Sequence, residues 1–395
     1  MDMAATLNPD SAKTAKYAPE FDLLLACARI IPDAPRIQSF ISSGIDWRAF
    51  THLAAIHGVR PLVYCSLQTV CWNQLPLDIQ SEWNETCRSL TARTLFMTGE
   101  MFRITAEFNS AGIPVAVLKG SVIAQLAYGD PSLREFNDLD LLVHPSDLHR
   151  AVPLFDRLGY RPVWKGSIET IISFLRHVGE CRLANNTGVA DVDLHWRVAT
   201  SATALAPSLS DFPSGFQSVS IAGSTVPSLA LAELPLYLAA QGGWDQWCDL
   251  RRICDLAEFL RRYPCLDWRP SLAAAARLGG LRSMLVGIEL ASQLLNAPIP
   301  PPAAPCIQRD TAVASLVVNA ARQLSQSQSS GEPVNRYIFQ LKSKSGFAGK
   351  LALLWRILAG RTAEDASWLM LPRPLWWFYP ILRPLRMTTK ILRRT

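Results

Sequence analysis

The sequence predicts an α+β fold in which a small mixed β-sheet is embedded between an N-terminal helical region and a larger C-terminal helical region. Three observations carry this. Apolar residues recur at helical spacing from Phe21 to Ser110, the pattern changes at Ile113 to short β-branched runs, and helical spacing returns beyond Pro227. With 395 residues, 49% of them hydrophobic and 18% charged, the chain can build a large core, which excludes disordered, collagenous and disulfide-stapled classes.

The elements follow in order. FDLLLACARII, DWRAFTHLAAIHG and the stretch from Leu77 to Ser110 read as helices, giving a helical region over 1–112. IPVAVLKG, stopped by Gly120, reads as a buried strand. A helix runs on through Tyr128, the turn GDPS follows, and DLDLLVHP is a second strand. Ser146 to Gly159 opens on a Ser-Asp cap signal and ends at glycine, so it reads as a helix. Short strands around one helix are expected from Arg161 to Trp196, then a loop or hairpin to Pro227 with SVSIAG as a strand. These pieces form an α/β core over 113–227. Helices fill 228–305 up to the proline run APIPPPAAP, and a C-terminal helical region with a basic, aromatic tail occupies 306–395.

The formal charge of +6 is unevenly placed. Residues 333–395 carry 12 Lys/Arg against 2 Asp/Glu, so the first 332 residues are net acidic. The basicity therefore speaks to docking of the tail. LWWFY at 375–379, followed by Arg383, Arg386, Lys390, Arg393 and Arg394, is expected to pack its aromatics onto the helical half, with an anionic membrane surface or a nucleic-acid backbone as alternatives. The N-terminus lacks an apolar signal core, no window reaches the roughly 18 apolar residues of a spanning helix, and nine Cys without a Cys-x-x-Cys pair suit a reducing compartment. A cytoplasmic protein, with peripheral membrane contact through the tail as the alternative, is the expectation.

Three short pieces carry the chemistry. Leu118-Lys119-Gly120-Ser121 is a strand running into a Gly-Ser helix start. Asn137-Asp138-Leu139-Asp140-Leu141 and Asp191-Val192-Asp193-Leu194-His195 are acidic strands. Alternation puts Asp138 and Asp140 on one face, as it does Asp191, Asp193 and His195. Two such edges make an oxygen-rich cage that suits Mg²⁺, with Mn²⁺ as a substitute. Like charges so close repel strongly unless a cation separates them. Gly120 and Ser121 suit a phosphate, and Lys119 and Arg134 supply counter-charge. Asp191 reads as a solvated strand residue and His195 as the structural partner of a carboxylate. The six His contain no zinc spacing.

A Gly-Ser strand-to-helix step, an Asp-x-Asp strand and a later carboxylate resemble the DNA-polymerase-β-like nucleotidyltransferase superfamily. More narrowly, LKGSVIAQLAYGDPSLREFNDLDLLV, VDLHW, WCDLRRICDLAEFL and LPRPLWWFYPILRPLRM are similar to the uncharacterised bacterial nucleotidyltransferase family. The resemblance implies that Asp138, Asp140 and Asp193 hold metal and act in catalysis, and that Gly120 and Ser121 lie at the phosphates of a nucleoside triphosphate. It implies transfer of NMP to an acceptor that is a small molecule, peptide, protein or RNA, with release of pyrophosphate. Two other classes compete: an Asp-x-Asp glycosyltransferase using a nucleotide sugar, and a catalytically silent binding protein that keeps the fold.

Overall fold

The computed structural model describes residues 17–163, 167–176, 178–185, 190–326, 333–383 and 386. Lys390, Arg393 and Arg394 of the tail lie outside the described residues, as do the first sixteen residues.

Seven strands form one mixed sheet: β1 (Val115–Val117), β2 (Asp138–Val143), β3 (Tyr160–Pro162), β4 (Glu180–Asn185), β5 (Asp191–His195), β6 (Phe216–Ile221) and β7 (Ser224–Leu229). Their order is β3-β4-β5-β2-β1-β7-β6. β2 runs parallel to β5 and antiparallel to β1, and β1 is parallel to β7. The expected strand at Ile113 is short in its regular part, but the Leu118 amide still donates to the Asp140 carbonyl at 2.9 Å, which ties the Lys119-Gly120 corner to β2. The segment expected to be a loop or hairpin is irregular up to Gly215 and then forms the β6–β7 hairpin. Its two-residue turn, Ala222-Gly223, has φ of 48° and 81°, the left-handed backbone that such tight turns need.

Side-chain alternation divides the sheet between two hydrophobic clusters. Val115, Val117, Leu139, Leu141, Val192 and Leu194 enter the cluster on one face, with Phe108, Phe155 and Phe174. Ala116, Leu118 and Leu142 join the other cluster, which contains Phe21, Phe50, Tyr237, Trp247, Phe259 and Leu316 and so unites helices from before β1 with helices from after β7. The 34-residue helix Leu77–Ser110, about 51 Å long at 1.5 Å per residue, contributes Trp83 and Cys87 to the second cluster and Met97, Met101, Ile104 and Phe108 to the first. The acidic residues of β2 and β5 share a face with Leu142, so they look toward the helical body.

Trp247 is the keystone of that body. It is fully buried with φ of 58°, and its indole N–H donates to the Ser283 carbonyl at 2.9 Å. Helices Leu234–Trp244 and Leu281–Leu295 approach it through Gly242 and Gly287, where a Cβ would lie 2.3 and 2.1 Å from the indole.

The tail packs differently from the expectation. Trp376 and Tyr379 lie edge-on against Phe174 of the α/β core, with ring centroids 5.3 and 5.0 Å apart, and not on the helical half. Phe174 ends the short helix Ile168–Phe174 and presents an apolar ring that the tail covers, while Arg361 lies over both Phe174 and Trp376. The aromatics thus divide: Tyr379 is buried and Trp377 remains 64% exposed. No helix among the described residues is long and apolar enough to cross a membrane.

Candidate active site

The parallel register of β2 and β5 sets Asp138 beside Asp191, Asp140 beside Asp193 and Leu142 beside His195. Each pair projects to one face, so Asp140, Asp193 and His195 converge, and one ligand atom from each lies within 4.8 Å of the others. Asp140 is the buried centre. Its Oδ1 accepts from Lys119 Nζ at 2.9 Å and contacts His195 Nε2 at 2.9 Å. Its Oδ2 is buried with no hydrogen-bond partner. A buried carboxylate oxygen without a donor is costly, and a hard divalent cation is the partner that such an oxygen suits. The residues present therefore fit a divalent metal held by Asp140 and Asp193, with His195 within reach.

The charges respond to this crowding. Burial pushes the Asp193 carboxyl up, the neighbouring Asp140 charge pushes it further, and it reaches about 7. Asp140 goes the other way: burial alone would raise it, but Lys119 and His195 outweigh burial and hold it well below the usual carboxylate range. For Lys119 burial acts to lower the ammonium, and Asp140 and Asp138 more than offset it, so the group is raised. His195 is likewise raised, with the Asp140 bond and Glu180 overcoming burial. Two adjacent carboxylates thus have divergent proton affinities, an arrangement that allows one to stay charged while the other exchanges a proton near neutrality.

The remaining expected residues fall in different places. Asp138, at the start of β2 and one-third exposed, has its Oδ2 3.8 Å from Lys119 Nζ and stands outside the compact triple. Gly120 has φ of 66°, and a Cβ there would lie 3.2 Å from the Phe136 ring, so the corner requires glycine on conformational and packing grounds together. Ser121 is buried with its hydroxyl 2.7 Å from that of Thr98, turned inward where a phosphate donor was expected. Arg134 is also buried. Its Nε lies 3.0 Å from both carboxylate oxygens of Asp255, which further accepts from the Tyr128 hydroxyl at 2.8 Å. Its expected role as free counter-charge gives way to a buried ion pair, because an interior carboxylate such as Asp255 requires compensation. Asp191 pairs with Arg182 across β4 and β5, where a solvated residue was expected.

A family model described as uncharacterised nucleotidyltransferase matches residues 43–296, which is more than half of the chain. The chain belongs to this nucleotidyltransferase family. The match spans every strand of the sheet, the corner at Gly120, the helix that carries Tyr237 and the turn that carries Trp247. No curated protein matches.

Three members of the site's surroundings were not legible. His195 Nδ1 lies 3.3 Å from Glu180, its cross-strand neighbour on β4, which extends a chain of contacts from Glu180 through His195 and Asp140 to Lys119. Tyr237 is buried with a hydroxyl that has no hydrogen-bond partner, and its proton is held tightly by burial and by the field of Asp140. Arg252 pairs with Asp245 and its charge reaches Lys119. In the sequence Tyr237 sits inside LALAELPLYLAAQ, indistinguishable from core filler, and Arg252 within an amphipathic repeat.

Proposed function

We propose that this nucleotidyltransferase moves an NMP from a nucleoside triphosphate to an acceptor nucleophile, with Mg²⁺ as the divalent ion and pyrophosphate as the leaving group. The acceptor oxygen or nitrogen attacks the α-phosphorus, the bond from that phosphorus to the bridging oxygen breaks, and the acceptor proton passes to a carboxylate. Mg²⁺, which Asp140 and Asp193 would hold with Asp138 beside them at the start of β2, would supply charge neutralisation at the phosphates. Asp193 is the carboxylate that takes the proton, since the β2–β5 register sets it beside Asp140 at the centre of the site. Lys119 holds Asp140 ionised and orients it, and the Gly120 corner allows backbone amides to approach the phosphates. Tyr237 and Arg252 wall the site from the helical side.

The orphaned Asp140 Oδ2 opposite Asp193 is the observation that carries this reading. The test is a double variant, Asp138→Asn with Asp140→Asn, assayed by isothermal titration for Mg²⁺-dependent NTP binding. Both binding and label transfer from α-labelled NTP to components of a cell extract are expected to disappear. Wild-type turnover in the double variant ends the proposal.

A further inference from the structure

A cavity of about 760 Å³, lined by none of the carboxylate triple, has basic walls. Arg197, Arg277, Lys344 and Arg356 line it against the single carboxylate of Asp211. Asp211 is already taken by Arg277 at 2.6 Å. Lys344 donates to the Ala204 carbonyl at 2.9 Å and to that of Leu278, which leaves one of its three N–H groups without a partner among the described residues. Arg197 and Arg356 have no carboxylate partner among the described residues, and the Arg197 Nε is buried without any hydrogen bond. A buried guanidinium N–H without an acceptor is a donor that a bound anion would satisfy.

These cations are held together against their own repulsion. Burial depresses both Arg197 and Lys344, and the Arg356 charge depresses each further. The geometry is also fixed: the Arg197 backbone N–H donates to the Gly179 carbonyl at 3.1 Å, and a Cβ on Gly179 would lie 2.4 Å from the Arg197 side chain, so the stem is pinned under that glycine. At the rim, Trp355 precedes Arg356 on the helix Phe347–Ala359 and is 66% exposed, where a buried residue is the rule for so large an apolar ring.

We propose that this cavity is a second ligand site, taking a compact molecule with a phosphate or pyrophosphate group beside a flat ring. Arg197, Lys344 and Arg356 hold the anion and Trp355 covers the ring. The volume lies in the range of small-molecule pockets, and an arginine fork matches phosphate oxygens pairwise. The site stands without the transfer reaction, since none of its residues belongs to the carboxylate triple. Arg197 follows His195 by two residues, so occupancy here and events on β5 share one short segment.

Isothermal titration in EDTA separates the two sites, because phosphate binding at the carboxylates requires a divalent ion. The probes are inorganic pyrophosphate and ADP. Wild type is expected to bind both at one site, more weakly as NaCl rises. Arg197→Gln with Arg356→Gln weakens both probes at least tenfold, Trp355→Ala weakens ADP while sparing pyrophosphate, and Asp138→Asn leaves both unchanged. Arg356→Gln alone, at an exposed position, weakens both probes should the double variant not fold. Absence of binding in EDTA, wild-type affinity in the arginine variants, or loss of binding in Asp138→Asn overturns the proposal.

Discussion

Replacing Asp193 by Asn is expected to stabilise the metal-free protein while removing its response to Mg²⁺. The folded protein raises the Asp193 carboxyl from an ordinary 3.8 to about 7. At about 1.36 kcal/mol per unit, holding that carboxylate ionised at pH 8 costs up to about 4 kcal/mol. The sign follows from linkage. A carboxyl raised on folding contributes stability that is complete below its unfolded value and is lost as pH climbs through its folded value. His195, also raised, acts in the same direction. Wild type in EDTA is therefore expected to lose melting temperature between about pH 4 and 7. Asn at 193 removes most of that slope, and with about 2.1 cal/mol/K of unfolding entropy per residue over 395 residues, the ceiling is a gain of roughly 5 °C at pH 8. Differential scanning calorimetry across pH 5 to 8, with EDTA and then with Mg²⁺, measures both effects. Wild type should rise in Mg²⁺ and the variant should not. An Asn variant that melts below wild type in EDTA at pH 8 refutes the reasoning.

Other perturbations separate site from scaffold. Arg134→Met leaves Asp255 buried without its cation and should lower stability by about 3 kcal/mol in urea titrations; a stable variant with a raised KM for NTP would restore Arg134 to the substrate. Gly287→Ala drives a Cβ to 2.1 Å from the Trp247 indole and should cost about 3 kcal/mol or prevent folding, read from the urea midpoint; unchanged stability contradicts the packing described. Phe174→Ala removes the ring under Trp376, Tyr379 and Arg361, with a loss of about 3 kcal/mol and faster tryptic cleavage after Arg361, visible by mass spectrometry. Wild-type cleavage kinetics would mean that the tail is anchored elsewhere.

Much of the fold was legible because period is a local property. The alternation in DLDLLV and DVDLH fixed which side chains share a face, and Gly120 marked a corner that the backbone does require. Arg134 and Ser121 were misplaced for one common reason. A polar residue beside a chemical motif looks functional, yet its actual partner was Asp255, 121 residues away, or Thr98 on a helix before the sheet. The tail's aromatics were expected on the helical half, but two of them meet Phe174 of the α/β core, a contact some 200 residues apart in the chain that no local pattern announces.

By itself, then, the sequence determined the elements, the acidic strands and the basicity of the tail, since these depend on spacing and composition alone. Tertiary structure decided the register that sets Asp140 against Asp193, and with it the raised proton affinity of one and the depressed affinity of the other. It also decided that the acidic face looks onto Tyr237 and Arg252, and that Arg197, Lys344 and Arg356 meet around one cavity. Electrostatic coupling depends on separation in space and takes no account of position along the chain, so no local pattern can encode it.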